Sequence, residues 1–412
     1  MVHVCFGLHD KTGKYSKFTG TAIVSIFENT KSEVTVHILH DNTLSDGNRK
    51  KFLQLAERYE QQINFYNVEE ICPEKISEIK NLIPGAEESR FTAGALYRLV
   101  IVCVLPEEIE KAIYFDSDML IHADIKNLWD TDLGEKFIAA VPESEADIIC
   151  FKNLTAARHY LITSGRVKFE NYFNSAVLVM NLKKLRTSKN ILDEGIKFIA
   201  EHTECIYFDQ DILNYCFAGD YVKLPNNFDR FVPDLRRHEL NPMPEQDRIY
   251  HYTGPNPTFD FSDNLSRLYL EYFTKTTWFD IDFLKNISEG FHKFNAEQKD
   301  FATAISAVVS GKTRAFCAVP ENIEFLKQAF YIRDDEEIIP YESPESLKKL
   351  VKSIKKSRGK NIFFILLTEY GDIRETLQSD GLEEWTHFVN AVDFLSDAHG
   401  IPFKSYFIVQ AM

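Results

Sequence analysis

The chain has 412 residues, of which 44% are hydrophobic, and a formal net charge of −15. This length exceeds one average domain and the apolar fraction is ample for a core, so we expect two domains, or one large and one small. The acidic balance argues against a nucleic-acid partner, because binding to phosphates needs a basic surface.

The cysteines and the first residues of the chain indicate the cellular compartment of the protein. The seven cysteines are scattered without a C-x-x-C pair, which indicates a reducing compartment rather than a disulfide framework or a zinc site. Residues 1–9 lack the basic start of a signal peptide, and no apolar run approaches the ~18 residues of a membrane span. We therefore expect a cytoplasmic protein.

Strand-like and helix-like segments alternate from the first residue. Strands are predicted over residues 2–8, 34–39 and 63–68, with helices ending near residue 29 and covering residues 49–59. Such alternation predicts a parallel, doubly wound sheet with ligands at the carboxyl ends of its strands. The polar turn over residues 9–15 lies at such an end, and it is either a site for a base or an ordinary loop.

A long apolar helix predicted over residues 92–105 carries a single charge, Arg98. A buried arginine needs an anion. We expect Arg98 either to form a structural ion pair with an aspartate of the next strand or to reach a phosphate or ribose of a ligand.

That next strand ends in Tyr114-Phe115-Asp116-Ser117-Asp118. Carboxylates at i and i+2 of an extended segment project from the same face. Their mutual repulsion favours a cation between them, and Mg²⁺ or Mn²⁺ suits such oxygen ligands, with phosphate oxygens completing the shell. The pattern predicts a metal–diphosphate site; the alternative is a pair of aspartates that cap a turn.

Further polar residues follow at the ends of apolar segments. Asn174 begins a strand predicted over residues 172–182, where its amide either binds sugar hydroxyls or caps a turn. Asp209-Gln210-Asp211 opens a helix, where acidic residues also serve as caps. His251 lies on an apolar strand, where a histidine is usually a satisfied core residue, and the Gly254-Pro255 that follows lets the backbone approach a ligand closely.

The strand and helix pattern restarts near residue 295, so we divide the chain into residues 1–285 and a smaller α/β domain over residues 286–412. The second domain has no G-x-G-x-x-G pattern, and we assign it no nucleotide site. Its predicted helix over residues 345–358 carries a row of lysines opposite an apolar face. Such a row either contacts an anionic membrane surface or is a solvated helix face.

Taken in order, these motifs resemble glycosyltransferase family 8, which includes glycogenin and the bacterial lipopolysaccharide galactosyl- and glucosyltransferases. The resemblance spans about residues 2–280 and is carried by Tyr97-Arg98-Leu99, Tyr114-Phe115-Asp116-Ser117-Asp118, Phe173-Asn174-Ser175-Ala176-Val177-Leu178, Asp209-Gln210-Asp211-Ile212-Leu213-Asn214 and His251-Tyr252-Thr253-Gly254-Pro255. It implies an α/β glycosyltransferase type A fold, with a Rossmann-like nucleotide-binding sheet, for residues 1–285.

The resemblance also implies an activity. A retaining hexosyltransferase of this family would move glucose or galactose from a UDP-sugar to a glycan, glycolipid or glycoprotein acceptor, using Mn²⁺ or alternatively Mg²⁺. It would serve bacterial surface glycan synthesis, in the cytoplasm or peripherally at the inner face of the membrane. The alternative is a non-catalytic protein that binds nucleotide sugars or carbohydrates.

Site residues follow from the resemblance position by position. Asp116, Asp118 and His251 would ligate the metal. Gln210 would lie nearest the anomeric carbon on the opposite face, and Asp209 would contact the sugar hydroxyls. The resemblance implies that the residues of the first turn contact the uracil and that the backbone of Gly254 contacts the diphosphate. The full set of residues implied to bind the donor is His9, Asp10, Tyr15, Arg98, Ser117, Asn174, Asp211 and Gly254.

The chain departs from the family pattern at two points. The family commonly follows His-Tyr-x-Gly with a Lys-Pro-Trp that steadies the diphosphate, whereas this chain has Asn256-Pro257-Thr258-Phe259. Another cation must therefore stabilise the diphosphate, or the metal must stabilise it alone. The first turn reads His9-Asp10 where the family usually has paired aspartates.

Overall fold

The computed structural model describes the chain in segments. These are residues 1–82, 93–143, 167–188, 190–201, 208–239, 241–253, 263–289, 303–304, 307–318, 320, 336–340, 344–356, 362–367, 375 and 377–390. The chain packs as two compact units, Met1–Asp280 and Ile281–Met412. The predicted division after residue 285 lies close to this boundary.

The described residues of the first unit form ten strands. They are β1 Val2–Leu8, β2 Val34–His40, β3 Gln62–Asn67, β4 Lys111–Phe115, β5 Met119–His122, β6 Ile138–Pro142, β7 Phe173–Asn181, β8 Val222–Lys223, β9 Arg230–Phe231 and β10 Arg248–His251. Seven form a sheet in the order β3-β2-β1-β4-β7-β6-β8, and the other three form a sheet in the order β5-β10-β9.

The direction of β7 differs from the prediction of a parallel sheet. The neighbours β3, β2, β1 and β4 run parallel, but β7 is antiparallel to both β4 and β6. Phe173 at the start of β7 lies opposite Pro142 at the end of β6, so the chain reverses between them. A strand that is buried on both faces reads as a continuous apolar run whatever its direction, so its sequence does not encode this reversal.

The described helices of the first unit are α1 Lys14–Asn29, α2 Asp46–Arg58, α3 Val68–Ile71, α4 Pro73–Leu82, α5 Ile101–Val104, α6 Lys126–Trp129, α7 Leu182–Thr187, α8 Asn190–Glu201, α9 Phe208–Phe217, α10 Val232–His238 and α11 Asn264–Phe273. Two begin earlier than predicted. Helix α1 includes Lys14 and Tyr15 of the predicted turn. Helix α2 begins at Asp46 because the side chain of Ser45 accepts a hydrogen bond from the backbone N of Asn48.

The single helix predicted over residues 92–105 is wrong. Residues Ala93–Val100 form a 3₁₀ helix, and the α-helix covers only Ile101–Val104. The 3₁₀ segment packs against β1 through two glycines: a Cβ added to Gly7 would lie 2.2 Å from the carbonyl O of Gly94. This contact needs glycine on both sides, and the apolar pattern alone does not reveal it.

The three-stranded sheet brings the two ends of the candidate site together. Strand β10 pairs antiparallel with β5, so that His251 lies opposite Met119. The backbone N of Tyr252 donates a hydrogen bond to the carbonyl O of Asp118 at 2.9 Å. His251 therefore lies beside the turn that carries Asp116 and Asp118, although more than a hundred residues separate them along the chain.

The second unit contains a four-stranded parallel sheet in the order β12-β11-β13-β14. Its described elements are β11 Thr313–Ala318, β12 Glu337–Pro340, α12 Pro344–Lys356, β13 Ile362–Leu367 and β14 Phe388–Asn390. Much of the segment from residue 295 onward, where the predicted strand and helix pattern restarts, lies outside the described residues, including residues 321–335. Among the residues described, we find no helix that is both long and apolar enough to span a membrane.

Candidate active site

Two aspartates and a histidine meet where β4 ends. Asp116 and Asp118 occupy the turn between β4 and β5, and His251 is the last residue of β10. One potential ligand atom from each lies within 4.8 Å of the others, and Nε2 of His251 lies 3.4 Å from Oδ1 of Asp118. His251 is buried and the aspartates are partly exposed. The structure thus brings together the three residues predicted as metal ligands.

A second carboxylate orients the imidazole of His251. Oδ1 of Asp229 lies 3.0 Å from Nδ1 of His251, and the Asp229 side chain is 1% exposed. Burial alone would lower the pKa of His251, but the carboxylates of Asp118 and Asp229 raise it well above its usual value. The sequence alone does not single out Asp229, because an aspartate after Asn-Asn-Phe looks like an ordinary turn residue.

The three side chains fit a divalent cation. Burial raises the pKa of Asp116 to about 6, with the charge of Arg98 opposing this effect and that of Asp118 adding to it. A cation between two such carboxylates relieves their repulsion. Oxygen ligands suit Mg²⁺ and Mn²⁺ alike, and the imidazole, a softer donor, favours Mn²⁺.

Arg98 is buried and connects Asp116 to the predicted catalytic aspartate. Its side chain is 2% exposed, and its Nη2 donates to Oδ1 of Asp116 at 2.5 Å. Its Nε lies 3.2 Å from Oδ2 of Asp209, its Nη1 donates to the carbonyl O of Ser175 at 2.6 Å, and its guanidinium lies 4.4 Å from the centre of the Tyr114 ring. The expected ion pair is present; contact between Arg98 and a donor stays a prediction.

Asp209 and Gln210 lie in the first turn of α9, and Ser175 of β7 contacts both. Oγ of Ser175 donates to Oδ2 of Asp209 at 3.2 Å, and the backbone N of Ser175 donates to Oε1 of Gln210 at 3.1 Å. At the other end of the carboxamide, Nε2 of Gln210 donates to Oε2 of Glu143 at 3.0 Å. Sequence reasoning missed Glu143 and Ser175 as site residues, although Ser175 lies within a family motif.

The turn after β1 uses its side chains largely for internal hydrogen bonds. Nδ1 of His9 lies 2.5 Å from Oδ2 of Asp41, and the His9 side chain is 18% exposed. The buried carboxylate of Asp10 accepts from the backbone N of Ser16 at 3.2 Å and from Nδ2 of Asn48 at 2.9 Å. Asp10 thus stabilises the start of α1, and its predicted contact with uracil stays a prediction, as does that of His9.

Tyr15 and Ser117 lie beside the aspartates. The pKa of Tyr15 is raised first by burial and then by the negative charges of Asp118 and Asp116. Oγ of Ser117 accepts a hydrogen bond from Oγ1 of Thr19 at 2.8 Å, which ties the turn to α1. Of these two residues, Tyr15 is the more accessible to a ligand, because Ser117 is buried.

Three predicted donor-binding residues remain. Asn174 is partly exposed, and its Oδ1 accepts from the backbone N of Ala176 at 2.8 Å. Asp211 is fully buried and accepts from the hydroxyl of Tyr172 at 2.6 Å. Gly254 lies outside the described residues, as does the segment 256–259 where the family has its lysine. Donor contacts by all three stay predictions.

A cavity of about 210 Å³ lies beside Asp229, and its walls also include Glu143, Asn174, Phe231 and Asp234. It therefore borders both the carboxylate that holds Gln210 and the carboxylate that holds His251. A larger cavity of about 550 Å³ surrounds Lys111. Because Lys111 begins β4 and Asp116 follows its end, that cavity lies away from the cluster.

Sequence comparison matches the chain to the profile of glycosyl transferase family 8 over residues 8–257. This match covers more than half of the chain and includes every predicted site residue. A putative glycosyltransferase of Haemophilus influenzae is 29% identical over 247 residues, which cover 59% of this chain and 69% of that protein. A lipopolysaccharide 1,3-galactosyltransferase of Salmonella typhimurium is 24% identical over 244 residues, covering 57% of this chain and 67% of that protein.

Among solved structures, the galactosyltransferase LgtC in complex with donor and acceptor sugar analogs is similar with a TM-score of 0.54. The two chains are 22% identical, and the similarity covers 67% of this chain and 96% of LgtC. At this identity the likeness shows the fold alone. The predicted glycosyltransferase type A fold is confirmed.

Proposed function

Since the chain belongs to glycosyltransferase family 8, we propose that it is a retaining hexosyltransferase. It moves glucose or galactose from a UDP-sugar to a glycan, glycolipid or glycoprotein acceptor, with Mn²⁺ as the cofactor and Mg²⁺ as the alternative. The observation that carries this proposal is the cluster of Asp116, Asp118 and His251, whose ligand atoms lie within 4.8 Å of one another.

The cluster supports activation of the leaving group. When bound, a divalent ion stabilises the negative charge that develops on the UDP oxygens. Asp116 and Asp118 are exposed enough to bind a diphosphate that enters from solvent. His251 is buried and contacts Asp229 through Nδ1. Arg98 keeps the Asp116 carboxylate in one orientation through its hydrogen bond to Oδ1.

Retention follows from attack on the face that UDP leaves. The bond between the anomeric carbon and the phosphate oxygen breaks, the bond to the acceptor oxygen forms, and the acceptor proton passes to the departing phosphate. Gln210 is a poor nucleophile because it is a carboxamide, which favours same-face attack over two displacements. Asp209 stabilises the positive charge of the oxocarbenium-like centre. A sugar trapped covalently on the protein would contradict this route.

A donor screen tests the proposed function. We expect UDP release from UDP-glucose or UDP-galactose with Mn²⁺, stimulation by an acceptor, and loss of release on addition of a chelator, because the ion stabilises the leaving group. Initial rates of UDP formation measure this. Tight UDP-sugar binding without turnover, with acceptors supplied, would instead favour a binding protein.

For the second unit we propose contact with an anionic membrane surface through α12, as suits an enzyme with a lipid-linked acceptor. One face of α12 is buried through Leu350, Val351 and Ile354. The exposed residues of the helix include Lys348, Lys349, Lys352, Lys355 and Lys356, of which Lys355 pairs with Asp380 at 2.8 Å. Each lysine near an anionic bilayer contributes about 1 kcal/mol.

Vesicle sedimentation tests this contact. We expect binding to phosphatidylcholine vesicles that contain phosphatidylglycerol and little binding without it. Replacing Lys348, Lys349, Lys352 and Lys356 by glutamate should abolish binding. A control with the same change in net charge replaces exposed lysines of the first unit, Lys31, Lys50, Lys183 and Lys223. Equal losses in both variants would refute the role of α12.

A further inference from the structure

Asp229 is the residue immediately before β9, and a turn on one side and a strand on the other hold it in place. The backbone N of Asp229 donates to the carbonyl O of Asn226 at 3.2 Å, which closes the preceding turn. Strand β9 then pairs parallel with β10, so that Phe231 lies beside His251. The rings of Phe231 and His251 are 5.2 Å apart. Turn and strand together hold the Asp229 carboxylate against the imidazole.

The contact between Asp229 and Nδ1 of His251 determines that Nε2 is the nitrogen that faces Asp118. The Asp229 side chain is 1% exposed, and a buried carboxylate is costly unless it is hydrogen-bonded. When Nδ1 donates its proton to Oδ1 of Asp229, the lone pair of the neutral ring lies on Nε2. Nε2 is the atom that lies 3.4 Å from Asp118. A ring turned by 180° would lose this contact with Asp229.

We propose that Asp229 is a positioning residue for a divalent cation: by accepting from Nδ1 it fixes the tautomer and direction of His251, and its charge makes Nε2 a stronger ligand. A partner of this kind behind a metal-binding histidine typically changes affinity 10–100-fold. The inference rests on the metal dependence in the proposed function. It adds a fourth residue to the cluster, one that does not itself touch the ion.

Two substitutions separate the parts of this role. Asp229→Asn keeps an oxygen that accepts from Nδ1 but removes the charge, whereas Asp229→Leu removes both. We expect the Kd for Mn²⁺, measured by calorimetry with UDP present, to rise about 10-fold in Asp229→Asn and closer to 100-fold in Asp229→Leu. The Kd for Mg²⁺ should rise less, because Mg²⁺ gains less from an imidazole ligand. A merely structural defect would weaken both ions alike.

Asp130→Asn is the matched control, since Asp130 is an exposed aspartate that pairs with Lys126 on the surface, away from the cluster; its Kd should equal that of the wild type. Thermal unfolding without metal checks the fold, and if Asp229→Leu does not fold, Asp229→Asn decides. Wild-type Mn²⁺ affinity in Asp229→Asn, or an equal loss for Mg²⁺ and Mn²⁺, would overturn the inference, as would a wild-type protein that binds no Mn²⁺. Mn²⁺ binding by a wild type that releases no UDP from any donor would refute only the proposed function.

Discussion

Asp118→Ala is expected to lower the rate of UDP release by roughly 10³-fold while the fold survives. The bound ion is asked to supply several kcal/mol of charge stabilisation, and each ~1.4 kcal/mol corresponds to a factor of ten in rate. Truncation of Asp118 should cost little stability, because its side chain is 26% exposed. Initial rates with Mn²⁺ and a UDP-sugar, together with thermal unfolding, measure both effects.

Asp130→Ala provides the control for this substitution. Asp130 is an exposed aspartate that pairs with Lys126 on the surface, away from the cluster. Its loss should change neither rate nor stability appreciably, since exposed ion pairs contribute at most about 1 kcal/mol. A wild-type rate in Asp118→Ala would refute the assignment of Asp118 as a metal ligand.

Arg98→Met should produce the largest loss of stability, about 3–5 kcal/mol in the free energy of unfolding. The substitution preserves much of the side-chain volume but leaves the Asp116 and Asp209 carboxylates without their shared cation. It also removes the hydrogen bonds to Ser175. Denaturant unfolding at neutral pH measures the effect.

For comparison, Arg248→Met breaks an ion pair between Arg248 and Glu245, in which the glutamate is 65% exposed. That variant should lose no more than about 1 kcal/mol. If Arg98→Met unfolds at the same denaturant concentration as Arg248→Met, the pairing of Arg98 with Asp116 and Asp209 contributes no more to stability than an exposed ion pair, which would contradict the prediction.

Residues with distinctive local chemistry could be found from the sequence. Asp116 and Asp118 follow an apolar strand at a spacing of two, which indicates a shared face without knowledge of any other element. His251 entered through its place in a family motif, and the structure sets it beside both aspartates. The succession of strands and helices likewise predicted the sheet of β1 to β4.

Residues whose roles depend on a distant partner could not be found in this way. Asp229 and Glu143 are ordinary acidic residues until the fold sets one against His251 and the other against Gln210. The direction of β7 has the same origin, because it depends on where the chain re-enters the sheet. The prediction of a long helix failed where Gly7 and Gly94 bring two backbones together.

The pairing of β5 with β10 has a consequence for biosynthesis. During translation, β1 to β4 and both Asp116 and Asp118 are synthesised well before β10, so the aspartate pair is present while the imidazole that completes the cluster is still missing. A product that terminates early, before residue 248, would keep the aspartate pair and lack the imidazole. A capacity of this cluster to hold an ion would therefore arise only when β10 is made and pairs with β5.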